Sequence, residues 1–524
     1  MNSRLFKSDK FYYGLFVVML IPALLINLGV HHIFIHTDES LRALIALEML
    51  LNKEFIAPTV NGLYYFNKPP LYNWIIAASF KLFGEASLFA LRFPVFLAIL
   101  LYGVLIVKFI GKASSNRMGW FVAIATITCG RILFYDSFLG LIDIAFSTLI
   151  FTNFMLFYHL GKKEKYFALF ATTYFLSALA YLMKGLPPIV FQGLTIIAMA
   201  LFKKNWKILF HPSHFLGALF FVVPVAGYYL AYLQVNPKPL GELFSTLWSE
   251  SSKRTVTDHG IVDSLKALYQ FPLENLYHFA PWTVLIVFLF RKGAFKELWN
   301  EEFSRFLALV FGLNIVVYWT SPGVHPRYLF MFLPLLFFML FQLAAKGNQK
   351  LLKGIQMLLL GIMAIGSFGP FIMMSPALEL GVHNDVLKLV GLGLAMGLLT
   401  ILFYKQRQRR WIILGIFLLT VRLAFNWFIL PFRNTDGMEY TKAAAEVVEI
   451  TKDGNLFIVG GNHLSRGSSF LIERERGEVL NVRDTVNAGD YYISIDQFIL
   501  HNSTELYRFR TKSTDREMVL SKKN

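Results

Sequence analysis

The sequence predicts an all-α polytopic membrane protein with a small α/β domain after its last transmembrane helix. Of its 524 residues, 56% are hydrophobic and only 16% are charged, and the mean hydropathy is +0.53. Soluble globular domains carry more charged and fewer apolar residues. Long apolar segments recur through the chain and stop near residue 433. With roughly twenty residues per crossing, these segments predict about thirteen transmembrane helices.

The net charge of +17 does not indicate a nucleic-acid partner. Nucleic-acid binding needs a basic patch on a folded soluble surface, whereas the basic residues here form short clusters between apolar segments. One cluster, Arg4, Lys7 and Lys10, precedes the first segment, and others lie at 203–207 and 405–410. By the positive-inside rule, these clusters face the cytoplasm.

This orientation assigns the crossings and the outer loops. The predicted transmembrane segments are 11–30, 88–110, 118–135, 138–158, 166–183, 186–202, 214–233, 276–290, 303–320, 328–345, 355–374, 386–404 and 411–430. Segments 31–87, 234–275 and 321–328, and the chain after about residue 431, then lie outside. A transporter more often places its ionisable residues at the membrane midplane, but here the polar residues gather on the outer face.

The first outer loop is predicted to hold two helices that lie along the membrane interface. The first, "HTDESLRALIALEMLLNKEF", starts at a capping residue, Thr37 or Asp38, and the second covers about 71–83 after "NKPP". Asp38 and Glu39 could serve only to stabilise the start of the first helix through its dipole. Lys68 could serve only to place its charged end at the membrane–water interface. These structural interpretations remain open beside a functional one.

After residue 433 the composition changes. A helical pattern, "GMEYTKAAAEVVEITK", is followed by strand-like runs such as "NLFIVGG" and "DYYISID". We predict a transmembrane domain over 1–433 and a C-terminal α/β domain over 434–524, outside the cytoplasm.

Five motifs together resemble a known family. They are "DES" after the first apolar segment, "NKPPLYNW" in the same loop, "LGLIDIAF", "MKG" and "SPGVHPRYLFMFLPLL". This set resembles the polyprenyl-phosphate-dependent GT-C glycosyltransferases, and within them the aminoarabinose transferase and protein O-mannosyltransferase group (families 39 and 83). The resemblance implies a GT-C fold and a membrane glycosyltransferase that uses a polyprenyl, or undecaprenyl, phosphate sugar donor.

The resemblance also implies roles for particular residues. Asp38 corresponds to the catalytic base, and Glu39 is its acidic neighbour in the catalytic pair. The positions that correspond to donor-phosphate binding are Lys68, Lys184, Arg254 and Arg327. Positions assigned to the sugar or the acceptor are Asp143, Tyr65, Tyr328 and Arg42. For Asp143, a helix-capping role is an equal alternative.

The chemistry suits these residue types. A carboxylate can remove the proton from an acceptor hydroxyl, and fixed cations stabilise the charge that develops on the departing phosphate. One carboxylate base opposite the phosphate implies inversion at the anomeric carbon. The expected acceptor is a lipid, glycan or protein at the outer face of a bacterial cytoplasmic membrane, as in lipid A modification or protein glycosylation.

Two other function classes stay open at this stage. One is a flippase or transporter of lipid-linked saccharide, and the other is an interaction module of the cell envelope. No cofactor is expected with certainty: His31, His32 and His36 could join Glu39 around a divalent metal, but they form no recognised metal motif.

Overall fold

The computed structural model describes residues 8–30, 37–252, 256–375, 385–431, 435–511 and 516–524. Helices form most of the chain before residue 432. In chain order they are α1 (Asp9–Leu25), α2 (Thr37–Asn52), α3 (Leu71–Phe83), α4 (Leu88–Ala113), α5 (Asn116–Ile127), α6 (Gly130–Phe134), α7 (Asp143–Gly161), α8 (Tyr166–Lys184), α9 (Pro187–Lys203), α10 (Pro212–Val235), α11 (Leu240–Ser252), α12 (Val256–His278), α13 (Ala294–Asn300), α14 (Glu302–Trp319), α15 (Leu333–Lys346), α16 (Gln349–Ser367), α17 (Gly369–Ile372), α18 (Val386–Lys405) and α19 (Arg410–Phe428).

Fewer helices meet the length and composition of a membrane crossing than the sequence predicts. Among the described residues, nine helices are long and apolar enough to cross a membrane, or ten if the pair Asn116–Ile127 and Gly130–Phe138, bent by 48°, is one crossing. α1 and α9, at 17 residues each, lie at the short end of the range for a crossing helix. The polytopic membrane fold is confirmed, and the count of thirteen is not.

The predicted crossing at 276–290 is wrong. α12 ends at His278, and the apolar run that follows is a nine-residue 3-10 helix, Trp282–Phe290. Such a helix rises about 2 Å per residue, so this one spans roughly 18 Å, well short of a hydrocarbon core of about 30 Å. Trp282, Leu285 and Phe288 are buried in the protein instead. Trp282 packs against the rings of Phe341 and Trp411.

The two helices predicted in the first outer loop are present as α2 and α3. A short hairpin of β1 (Thr59–Val60) and β2 (Leu63–Tyr64) separates them. α2 is buried on nearly all sides from Leu41 to Met49, because α3 and a helix of the C-terminal region pack against it. Its apolar side chains therefore contribute to the protein core.

The C-terminal region is a small mixed sheet with two helices. After α20 (Thr435–Ile450) come β3 (Leu456–Val459), α21 (Arg466–Arg476), β4 (Val482–Arg483), β5 (Tyr491–Ser494), β6 (Ser503–Thr511) and β7 (Arg516–Lys523). The strand order is β4-β3-β5-β7-β6, with β3 parallel to both β4 and β5. β7 is antiparallel to β5 and β6. The predicted strand segments lie on strands of this sheet.

Candidate active site

Four of the predicted site residues form one connected ion-pair chain. Asp38, in the first turn of α2, accepts a hydrogen bond of 2.8 Å from Nη2 of Arg327. The Nε of Arg327 lies 3.3 Å from Oδ2 of Asp143, at the start of α7. The other carboxylate oxygen of Asp143 accepts a 2.6 Å bond from Lys184, at the end of α8. Three segments that are far apart in sequence thus meet at the start of α2.

Two aromatic rings contact Lys184, the last residue of this series of ion pairs. The Nζ of Lys184 lies 4.0 Å from the ring centre of Tyr328 and 4.8 Å from that of Phe146. Asp143, Arg327 and Tyr328 are buried, whereas 39% of the Asp38 side chain is exposed. Asp38 is therefore the carboxylate that a substrate could reach.

Lys68 and Arg42 lie beside the series of ion pairs but do not take part in it. Arg42 is buried on α2, and its Nη1 donates a 3.2 Å hydrogen bond to the side chain of Asn73 on α3. Lys68 lies in the loop before α3, close enough to Arg42 and Asp38 to interact with their charges. Among the described residues, neither cation has a carboxylate within ion-pair distance. Two neighbouring cations that are not engaged in these ion pairs are suited to bind an anion.

The surroundings of Lys68 lower its pKa to about 7, first because of burial and then because of the nearby Arg42 cation. Burial also raises the pKa of Tyr65, which lies in the same loop. Asn67, directly before Lys68, donates a 3.3 Å hydrogen bond to Glu250 of α11. The loop that carries Lys68 is thus held from the side of α11 as well.

The structure does not bring Glu39 to this site. Glu39 is fully buried, and its two oxygens accept bonds of 2.8 and 3.1 Å from the guanidinium of Arg92 on α4. Its Oε1 also accepts a 2.7 Å bond from the backbone N–H of Gly140. Because Arg92 further donates to the carbonyls of Leu28 and Val30, this pair links α4 to the chain after α1 and to the segment before α7. Sequence reasoning missed Arg92, although a charge inside a predicted crossing is a usable signal.

Two predictions cannot be placed in this geometry. Arg254 lies outside the described residues, as do His31, His32 and His36. In the part of the chain that the structure describes, no group of three His, Cys, Asp or Glu side chains could hold a metal ion.

An apolar groove of about 400 Å³ opens beside the ion-pair chain. Its walls come from α3, α4, α7 and the end of α8, and include Tyr72, Ala98, Ala145 and Met183. Met183 directly precedes Lys184, and the hydroxyl of Tyr72 donates to the carbonyl of Leu141, two residues before Asp143. A molecule with a long apolar chain and an anionic end could therefore bind across both surfaces.

Several known proteins are similar to this chain in sequence or in fold. Residues 67–229 match the family described as dolichyl-phosphate-mannose-protein mannosyltransferase. An undecaprenyl phosphate-α-4-amino-4-deoxy-L-arabinose arabinosyl transferase of Edwardsiella ictaluri is 27% identical over 275 residues, which cover 51% of this chain and 47% of that protein. A Pseudomonas fluorescens protein of the same description is 26% identical over 408 residues, covering 74% of this chain and 70% of that protein. The chain thus matches about half the length of the first relative and more of the second.

The crystal structure of ArnT from Cupriavidus metallidurans bound to undecaprenyl phosphate superimposes with a TM-score of 0.69. The superposition covers 98% of both chains at 15% sequence identity. The predicted resemblance to the GT-C glycosyltransferases is confirmed. The family match begins at Asn67, directly before Lys68, and includes Asp143 and Lys184. The shared fold extends beyond that match to the C-terminal sheet.

Proposed function

We propose that this protein is an inverting glycosyltransferase that moves a sugar from a polyprenyl-phosphate donor to a hydroxyl group of a lipid, glycan or protein. The reaction would occur at the outer face of the bacterial cytoplasmic membrane. The observation that carries the proposal is the pair of cations, Lys68 and Arg42, which lie near the accessible Asp38. In the described part of the chain, neither has a carboxylate within ion-pair distance.

The donor phosphate is assigned to Lys68 and Arg42. Its prenyl chain would lie in the groove between α3, α4 and α7, which meets the site at Tyr72 and Met183. Lys184 and Arg327 add two further positive charges near Lys68 and Arg42. Among the described residues named here, the site therefore has four cations and two carboxylates, Asp38 and Asp143. This excess of positive charge favours an anionic headgroup over a neutral one.

Transfer needs one proton removal and one bond cleavage. Asp38 takes the proton of the acceptor hydroxyl, whose oxygen attacks the anomeric carbon from the side opposite the phosphate. The bond between that carbon and the phosphate oxygen breaks, and its electron pair stays on the phosphate. The charge gained by the leaving group is stabilised by Lys68 and Arg42, which are already in position before the reaction.

The other polar residues have supporting assignments. Arg327 orients Asp38, and Asp143 holds Arg327 and Lys184 in place. Tyr65 and Tyr328 are assigned to hydroxyl groups of the sugar or the acceptor. Glu39 receives no part in the chemistry, because Arg92 and Gly140 already engage its oxygens.

The test uses purified protein in lipid with radiolabelled undecaprenyl-phosphate sugars and a panel of candidate acceptors. Asp38→Asn should bind the donor normally and lose turnover by roughly 100-fold or more, because general-base catalysis typically contributes that factor. Lys68→Ala should lose both donor affinity and turnover. Lys81→Ala, which removes an exposed lysine from α3, is the matched control and should behave as wild type.

A different outcome would identify another function class. If the wild-type protein released no polyprenyl phosphate from any donor but moved lipid-linked saccharide across vesicle membranes, it would be a flippase.

A further inference from the structure

The hairpin between α2 and α3 has a two-residue turn whose first residue is fully buried and whose second is half-buried. Its residues, Asn61 and Gly62, have φ angles of 52° and 74°. A turn with positive φ at both positions fits the twist of a hairpin, and Asn-Gly is its preferred sequence. Hairpin turns usually face water, but Asn61 is completely buried here.

Every polar group of Asn61 has a hydrogen-bond partner, and most partners belong to the C-terminal region. Its side-chain amide donates to Glu473 at 3.3 Å, and its side-chain oxygen accepts from Ser469 at 3.3 Å. Its carbonyl accepts from the backbone N–H of Val482, on the edge strand β4, at 3.2 Å. Its own N–H donates to Glu48 of α2 at 2.5 Å. The turn therefore joins α2 to α21 and β4.

Glu473 is the residue of α21 that accepts the hydrogen bond from the side-chain amide of Asn61. It is completely buried on α21, where its Oε1 also accepts a 3.0 Å bond from the N–H of Leu480. Burial, together with the nearby charge of Glu48, raises the pKa of Glu473 well above its usual value. A glutamine at this position has the same shape and keeps a side-chain oxygen that can accept the same two hydrogen bonds.

The hairpin that contains Asn61 leads directly into the loop that carries Lys68. The hairpin continues to Tyr65, whose N–H donates to the carbonyl of Pro58 at 2.8 Å, and only two residues separate Tyr65 from Lys68. On the far side of the loop, Phe80 of α3 packs against Phe470 of α21, with ring centres 6.2 Å apart. Both ends of the segment are thus fixed on the C-terminal region.

We propose that the C-terminal region is a positioning element of the donor site, in which Glu473 and Asn61 hold the loop that places Lys68 beside Arg42. This inference rests on the proposed function for the identity of the ligand. Asn61 and Glu473 touch no substrate and act through Lys68, so they are positioning residues.

The experiment measures donor binding and donor kinetics in the full-length protein. Asn61→Gly keeps the turn conformation but removes the side-chain bonds, and Glu473→Ala removes the other partner. Each should weaken the binding of undecaprenyl phosphate and raise the donor KM by about tenfold, with kcat and the acceptor KM within about twofold of wild type. The double variant should be little worse than either single variant, because both remove the same contact.

Two further variants separate positioning from loss of stability. Glu473→Gln should restore wild-type binding, because the glutamine oxygen can still accept from Asn61 and Leu480. Arg476→Gln removes hydrogen bonds to Thr451 and Gly454 inside the C-terminal region, away from the turn. It should lower the melting temperature without changing the affinity for undecaprenyl phosphate.

The results distinguish this inference from the proposed function. If the wild type transfers sugar but Asn61→Gly and Glu473→Ala leave the donor KM and the binding of undecaprenyl phosphate unchanged, the positioning role is wrong. If the wild type does not transfer sugar but binding weakens in these variants and recovers in Glu473→Gln, only the proposed reaction is wrong.

Discussion

At the scale of single residues, Lys68 should make donor binding depend on pH. Its pKa in the empty site is lowered to about 7 by burial and by Arg42. A polyprenyl-phosphate sugar is a phosphodiester and keeps one negative charge throughout this range. Above pH 7 Lys68 is neutral in the empty site and must take up a proton to bind the donor, so the affinity should fall by up to about tenfold per pH unit.

Isothermal titration at pH 6 to 9, in buffers of different ionisation enthalpy, measures both the affinity and the proton uptake. Lys68→Arg is the matched variant, because an arginine stays protonated throughout this range. It should bind the donor with no such slope. An identical pH profile for wild type and Lys68→Arg would show that Lys68 does not carry the dependence.

The sequence could indicate which residues to examine, but it could not divide them by role. The motifs that contain Asp38, Asp143, Lys184 and Arg327 are far apart in the chain, and the structure joins them through short ion pairs. Glu39 is adjacent to Asp38, yet it points away from the site toward Arg92. Successive residues of a helix point about 100° apart, so adjacency in the sequence could not show which one faces the cavity.

At the scale of helices, the groove between α3, α4 and α7 should accept the prenyl chain. Ala98→Phe and Ala145→Phe place a ring in this groove, whose walls include both alanines. Each should raise the KM for a full-length undecaprenyl donor several-fold and have little effect on a short-chain analogue, which does not need the groove. The KM ratio of the two donors, measured in detergent, is the readout.

A second groove on the same helix supplies the control. Val104 lies on α4 but lines a separate apolar groove with residues of α1 and α5. Val104→Phe should leave the KM ratio at the wild-type value. Equal effects of Val104→Phe and Ala98→Phe would argue against a specific prenyl site.

Apolar runs predicted most helices well because hydrocarbon solvent requires the backbone to satisfy its own hydrogen bonds. They failed at 276–290, where Trp282, Leu285 and Phe288 are apolar because they face protein rather than lipid. The same ambiguity affects α2, whose apolar side chains pack against α3 and α21.

At the scale of the whole molecule, the C-terminal region is the part whose placement the sequence could not give. Its strands could be predicted from their own pattern, but its contact with Asn61 joins residues 412 positions apart. A single sequence contains no signal for such a contact, since neither Asn61 nor Glu473 differs from an ordinary turn or helix residue.

The orientation of the molecule in the membrane gives the last prediction. α7 begins at Asp143 and ends at Gly161, so about 27 Å along its axis separates the site from the basic cluster at Lys163. If that cluster faces the cytoplasm, the site and the C-terminal sheet face outward.

The single cysteine, Cys129, is buried, and Cys129→Ser provides a background for labelling. In intact spheroplasts, a membrane-impermeant maleimide should label Glu449→Cys, whose native side chain is 71% exposed, and should label Lys163→Cys only after permeabilisation. The reverse pattern would place Asp38 and Lys68 on the cytoplasmic side, and transfer at the outer face would then be impossible.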